Sequence, residues 1–280
     1  MISTSTRSWL DKKQRELCPS DAELKTVRDA LDAVETHLEN AGGAFSIAKR
    51  HPCGSFAKST MLVGRKEADL VVVLANAPSE ETLDTLRDSL AACPGVQKAA
   101  VHFKAVELEF SHGVNVDVLP VAEPGVTASG PDIPDKLRHA LSGPKHVEWF
   151  KKNAHGRPTH LIVRLLKKLK SDNKAFGALS SFAIEVLAVD ILGGFEGDLA
   201  DHFEKVLSQL AGGYLEGKTL PDPADASNDL LSKITSDERQ AIAKKARTWL
   251  EDLQNGSPSS IFAAASAAFP SSNIGGKTLA

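Results

Sequence analysis

Two short stretches rich in β-branched residues, 68–74 (ADLVVVL) and 113–121 (GVNVDVLPV), most constrain what this chain can fold into. The first is a strong strand signal. The second alternates, with Val114, Val116 and Val118 on one face and Asn115 and Asp117 on the other. Neither can bury its apolar side alone, so a sheet with further layers is required. Weaker strand patterns at 44–50, 95–102 and 104–110 supply partners for it. A helix is expected over 20–41: Ser20 and Glu23 have capping-box spacing, and Leu24, Val27, Leu31, Val34 and Leu38 recur on one face until Gly42-Gly43. A second helix is expected over 79–92 with Ser79 as its N-cap. Between the first two strands, HPCGSFAKST reads as a turn leading into a short helix.

From Lys145 the period changes. Helical spacing is expected at 145–153, 158–171, 178–192, 199–211 and 236–253. The segment 122–144 reads as loop with a short helix near 133–141. Residues 257–280, rich in Ser, Ala and Gly, read as a partly flexible tail that packs briefly through Ile261 and Phe262. The fold class is therefore α+β. A mixed lobe is expected over 1–144, a helical lobe over 145–256 and a tail beyond. With 280 residues and 42% hydrophobic content, either lobe has enough apolar side chain for a core.

Composition excludes several classes. A net charge of −3 rules out a globally basic nucleic-acid binder. Three dispersed cysteines, Cys18, Cys53 and Cys93, give neither a zinc pattern nor a disulfide framework. Reduced thiols fit a cytoplasmic or nuclear setting. MISTSTRSWLDKK lacks the apolar core of a secretory signal, and no window reaches eighteen consecutive apolar residues, so no membrane association is expected.

The chemistry-bearing stretch is GSFAKSTMLVGRKEADLVVVL, residues 54–74. Glu67 and Asp69, two apart at a strand edge, point to the same face. On their own they read more readily as a solvated strand rim than as a site. Asp117, in an apolar run where a lone carboxylate needs a partner, adds a third acid from a second strand. Three carboxylates on neighbouring strands suit Mg²⁺ or Mn²⁺, which take hard oxygen ligands and leave positions for substrate phosphates. The Gly54-Ser55 turn lets backbone approach a phosphate.

These elements, in this order, resemble the nucleotidyltransferase core of the 2′-5′-oligoadenylate synthetases and the wider superfamily of cyclic GMP-AMP synthase and bacterial cGAS-like enzymes (CD-NTases). The matching stretches are Gly54-Ser55, Thr60, Gly64-Arg65, Glu67-x-Asp69, DLVVVL and VNVDVLPV. Farther on, THLIVRLLKKLK, LSSFAIEVLA, LPDPADASND and ARTWLEDLQNGSPSS are similar to later parts of the family, so the likeness runs from about residue 8 to 263. A second likeness, over HVEWFKKNAHGRPTHLIVRLLKKLK, is to the DZF domain, a non-catalytic dimerising branch with degenerate acids. Oligoadenylate synthetases carry Asp where Glu67 stands; cyclic GMP-AMP synthase-type enzymes carry Glu.

The resemblance implies a polymerase-β-like lobe plus a helical lobe, with ATP or another NTP between them. Glu67, Asp69 and Asp117 would hold two Mg²⁺. Gly54 and Ser55 would meet the donor triphosphate, as would Lys167 with Ser181 beside it, and Phe182 would stack on the donor base. The product would be an oligoadenylate or another linear or cyclic oligonucleotide messenger. Nine basic residues lie in 145–174 against Glu148 and Asp172. Such a run is commonly a solvated helix face. Its functional reading makes Lys151, Lys152 and Arg157, with Lys58 and Arg65, contacts for phosphate or an activating double-stranded RNA. The DZF likeness implies instead an inactive scaffold that dimerises; the resemblance leaves monomer and dimer open.

Overall fold

The structure, a computed structural model, describes residues 2–41, 45, 47–75, 78–122 and 142–262. The expected helix at 133–141, the helix stop at Gly42-Gly43 and the tail beyond residue 262 lie outside these residues.

Strands β1 (Ile47–Cys53), β2 (Glu67–Leu74), β3 (Val96–His102), β4 (Ala105–Phe110) and β5 (Asn115–Ala122) form one sheet in the order β1-β2-β5-β4-β3. β2 and β5 run parallel and every other pair is antiparallel. The parallel pair sits in the middle, and both its members are the β-branched stretches that dominate the sequence. β2 explains its own unbroken apolar run. Leu70, Val72 and Leu74 pack into one cluster with Val116, Val118 and Leu108, whereas Val71 and Val73 pack into another with Cys53, Val121 and Val147. A strand covered on both faces has no polar side to show.

Helices α2 (Asp21–Asn40) and α4 (Glu80–Leu90) cover the first face. Both begin with reciprocal capping boxes, at Ser20 with Glu23 and at Ser79 with Thr82. The other face is covered over β1 by α5 (Ser142–Asn153). α3 (Gly54–Ala57) is a single turn that follows β1 directly.

The remaining helices, α6 (Gly156–Asp172), α7 (Ser181–Leu192), α8 (Leu199–Ala211) and α9 (Ser236–Gln254), build a second core. α6 and α7 are almost wholly buried along their middles, from Leu161 to Leu169 and from Ala183 to Leu192. A small hairpin, β6 (Pro221–Asp222) and β7 (Asp225–Asp229), lies between α8 and α9. The hairpin has no counterpart in the sequence reading, and neither has α1 (Thr4–Leu17), capped by Ser3. Its apolar content is slight, but Leu10 and Leu17 are buried, and it packs on α6 and α8. The helical core thus draws on both ends of the chain. Arg7 pairs with Asp198 and Asp201 at the start of α8, tying α1 in place.

Among the described residues, no helix is long and apolar enough to cross a membrane. Leu108 is fully buried in the sheet core. Its replacement in Leu108→Ala is expected to lower unfolding free energy by about 2–5 kcal/mol. Ser20→Ala, which removes only a cap, should cost about 1 kcal/mol. Urea titrations followed by circular dichroism measure both; equal losses would mean the cap carries more than its local hydrogen bonds.

Candidate active site

The cleft between the two cores is about 470 Å³ and is lined by Gly54 and Ser55, the acids Glu67 and Asp69, and the α6–α7 residues Lys167, Lys170, Ser181, Phe182 and Glu185. Gly54 has φ +65°, and a Cβ there would overlap the Asp69 carboxylate. The turn requires glycine for both reasons. It places the backbone of 54–55 directly against the first half of β2.

Register aligns the acids. Asp69 stands opposite Asp117 across the parallel pair, with Cys53 on the β1 side and Glu107 beyond Asp117 on β4. Cys53, Asp69, Asp117 and Glu107 form a row across one face of the sheet. The electrostatics follow from crowding. Burial raises Asp69 above the usual carboxylate range, with Glu67 adding to the rise and Lys58 opposing it. Burial, then Asp69, then Glu107, pushes Asp117 up to about 6. The Cys53 thiol is driven up to about 12 by burial and then by Asp69, so it is an inert packing group. Glu67, on the first residue of β2, is exposed and lies 3.7 Å from Arg65.

The donor set fits a hard divalent cation. It offers carboxylate oxygens and an excess of negative charge that raises its own members' affinity for protons. As they stand, no three His, Cys, Asp or Glu side chains among the described residues are gathered so as to hold a metal ion. Asp69 and Asp117 are side by side, whereas Glu67 leans to Arg65.

The floor of the cleft is a buried ion cluster. Glu185, fully enclosed on α7, accepts from Lys167 at 2.6 Å and from Thr60 Oγ at 2.9 Å, and is also paired with Lys58. Lys167 donates in addition to Thr60 Oγ at 2.9 Å. Two ammonium groups share one carboxylate, leaving the cluster with one positive charge. Burial alone would raise Glu185, but Lys167 and Lys58 outweigh it and its carboxyl lies below the usual range. Lys167 is lowered, mainly by burial. Arg164 braces the same loop from α6, donating to the carbonyls of Met61 (3.0 Å) and Ser59 (2.8 Å). Ser59 itself sits at φ +54°, a conformation a side chain rarely takes without such support.

The expected residues divide as follows. Gly54, Ser55, Glu67, Asp69, Lys167, Ser181, Phe182, Arg65 and Lys58 all line the cleft. Asp117 does not line it, and stands behind Asp69 in the row. Lys58, named as a candidate contact for phosphate or RNA, lines the cleft and is buried against Glu185, directly after the short α3 turn. Lys151, Lys152 and Arg157 are exposed and outside the cleft. The sequence reading missed Glu185, although one acid inside SFAIEVLA signals a paired buried charge. It also missed Lys170, three residues after Lys167 on the same helix face, and Glu107, which alternation in AVELEF puts on the polar face with Asp117.

Comparison with solved structures decides the fold. Across 94% of this chain and 99% of the Cid1 poly(U) polymerase with MgGTP bound, the TM-score is 0.71 at 13% identity. The fold is that of the polymerase-β-like nucleotidyltransferases. The structure of E. coli MS115-1 CdnC with ATP superposes with TM-score 0.68 at 17% identity, over 94% of this chain and 98% of that one. In sequence, the cyclic AMP-AMP-AMP synthase of E. coli (strain MS 115-1) is 27% identical over 173 residues, 53% of this chain. That match spans 51% of the relative, about half its length. The DZF N-terminal domain family matches residues 3–109. The expected likeness to the CD-NTases and to DZF proteins is borne out, although the DZF match falls on residues 3–109 and not on the 146–170 stretch that suggested it.

Removing Glu185 should be costly. Glu185→Ala leaves two buried ammonium groups facing each other and is expected to cost about 3–5 kcal/mol. The pH dependence has a definite sign. A carboxyl depressed in the folded state contributes stability above its ordinary value of 4.5, and that contribution fades as pH falls through the folded value. Wild-type protein should therefore lose stability more steeply below pH 4.5 than Glu185→Gln does. Thermal melts across pH 3–7 measure this; parallel curves would contradict it.

Proposed function

We propose that this chain transfers a nucleotidyl group from ATP, or another nucleoside triphosphate, to a hydroxyl acceptor and releases pyrophosphate. The observation that carries the reading is the register of Asp69 against Asp117 beside the Gly54-Ser55 turn, opposite a cleft wall that offers cations and an aromatic ring. Glu67, Asp69 and Asp117 would hold Mg²⁺ or Mn²⁺. Such ions, when bound, polarise the phosphate and lower the acceptor hydroxyl's pKa.

The chain's own residues supply the rest. Ser55 and the backbone of the Gly54 turn orient the triphosphate. Arg65, Lys170 and the net positive cluster of Lys58, Lys167 and Glu185 balance its charge. Phe182 offers a π face to the donor base. Asp117, in register with Asp69, would add its carboxylate to the acidic centre from β5. The product we propose is a linear or cyclic oligonucleotide built from AMP, in line with the name of the E. coli relative. A double-stranded RNA activator would meet Lys151, Lys152 and Arg157 on the exposed face of α5 and the start of α6.

A second reading, a DZF-type dimerising scaffold, is supported by the family match over 3–109. The two readings differ in what they predict for Asp69. With ATP and Mg²⁺, tested with and without double-stranded RNA, the chain should release pyrophosphate. Asp69→Ala and Asp117→Ala should lower the rate at least about a hundredfold while leaving the circular dichroism spectrum unchanged. A stable dimer by light scattering that releases no pyrophosphate with any activator would favour the scaffold.

A further inference from the structure

Phe182 is held from behind by a pair of residues that do not line the cleft. The ring of His146, on α5, packs against Phe182 with centroids 3.9 Å apart and planes 30° apart. His146 Nε2 donates to Asp222 Oδ1 at 2.6 Å, and both side chains are largely buried. Asp222 also accepts from the Ala224 N–H at 2.8 Å and from the Asn228 side chain at 3.1 Å. The carboxylate thus binds the β6–β7 hairpin into a single unit and anchors His146 to it. Three separate elements, α5, α7 and the hairpin, converge on one aromatic ring. Lys58 Nζ lies 5.0 Å from the Phe182 centroid, over the ring.

A ring in a cleft wall is free to rotate about its bonds unless its neighbours stop it. Freedom lost on ligand binding subtracts from affinity, so a stacking surface works best when its plane is already fixed. Burial keeps His146 below its ordinary pKa even beside Asp222, so a neutral ring, not a cation, lies against Phe182. Phe182 itself is half-buried and lines the cleft, so part of the ring borders the space a base would occupy.

We propose that His146, held by Asp222, is a positioning residue that fixes the plane of Phe182 for stacking on the donor nucleobase. The inference rests on the reading of the cleft as a nucleoside triphosphate site. It adds that base recognition depends on the β6–β7 hairpin, through a residue that never touches the nucleotide. Phosphate recognition by the Gly54-Ser55 turn does not require it.

Calorimetric titration with Mg·ATP and with Mg·tripolyphosphate, which has no base, separates the two ends. His146→Gln keeps a hydrogen-bond donor for Asp222 but loses the ring. It is expected to weaken ATP binding about fivefold to tenfold and to leave tripolyphosphate binding unchanged. Asp222→Ala, which removes the acceptor that anchors His146 and leaves its ring, should give the same selective loss and keeps the test alive should the first variant fold poorly. In Phe182→Ala, adding His146→Gln should cost nothing further. Equal weakening of both ligands, unaltered ATP binding, or additive losses in the double variant would overturn the proposal while leaving the site itself intact. A wild-type chain that binds neither ligand would overturn the underlying reading as well.

Discussion

The cleft depends on one buried carboxylate. Glu185 sits on the most apolar helix of the chain and receives Lys58 and Thr60 from the segment after β1, and Lys167 from α6. Desolvating an ion pair costs several kcal/mol per charge, and replacing such a pair with apolar groups is often neutral or stabilising. The cluster is therefore poorly explained as a device for stability alone. It joins the sheet half to the helical half at a fixed point and leaves one positive charge where the cleft narrows. Arg164, bonded to the carbonyls of Ser59 and Met61, holds the same loop from the next turn of α6.

That loop in turn sets the acids. Thr60 is anchored to Glu185, Gly54 is pressed against Asp69, and from the next residue, Leu70, β2 is buried on both faces. The parallel pairing of β2 and β5 then dictates that Asp69 and Asp117 stand side by side. Burial raises both, with Asp69 adding to the rise at Asp117, and the cations nearby do not relieve it fully: Lys58, which opposes the rise at Asp69, is paired with Glu185, and Arg65 with Glu67. A centre with unrelieved negative charge, next to a centre with unrelieved positive charge, is complementary to a metal-bound polyphosphate. This is the electrostatic basis of the nucleotidyl-transfer reading.

Much of this was legible in the sequence, for identifiable reasons. β2 and β5 announced themselves by composition, α2 by its capping box and apolar spacing, and α4 by Ser79 as its N-cap. Gly54 and the acids were legible because their spacing carries the chemistry. α1 was not, because TSTRSWLDKKQREL has few apolar residues and folds as a helix on tertiary contacts through Leu10 and Leu17. Glu185 was overlooked because its partners come from 18 and about 125 residues away, beyond any periodicity. The pairing of Lys58 with Glu185 was not legible, since nothing local reports which way the chain turns after α3. His146 and Asp222 meet only through the fold, 76 residues apart.

The central claim is that the Asp69–Asp117 centre joins nucleotides. Incubating the chain with α-phosphate-labelled ATP and Mg²⁺, then resolving the products by mass spectrometry, tests it most directly. The account predicts labelled species whose masses correspond to AMP units joined by phosphodiester bonds, absent when Asp69 is replaced by Ala. Unchanged ATP at the end of the reaction, with and without double-stranded RNA and with each of the other nucleoside triphosphates, would contradict it.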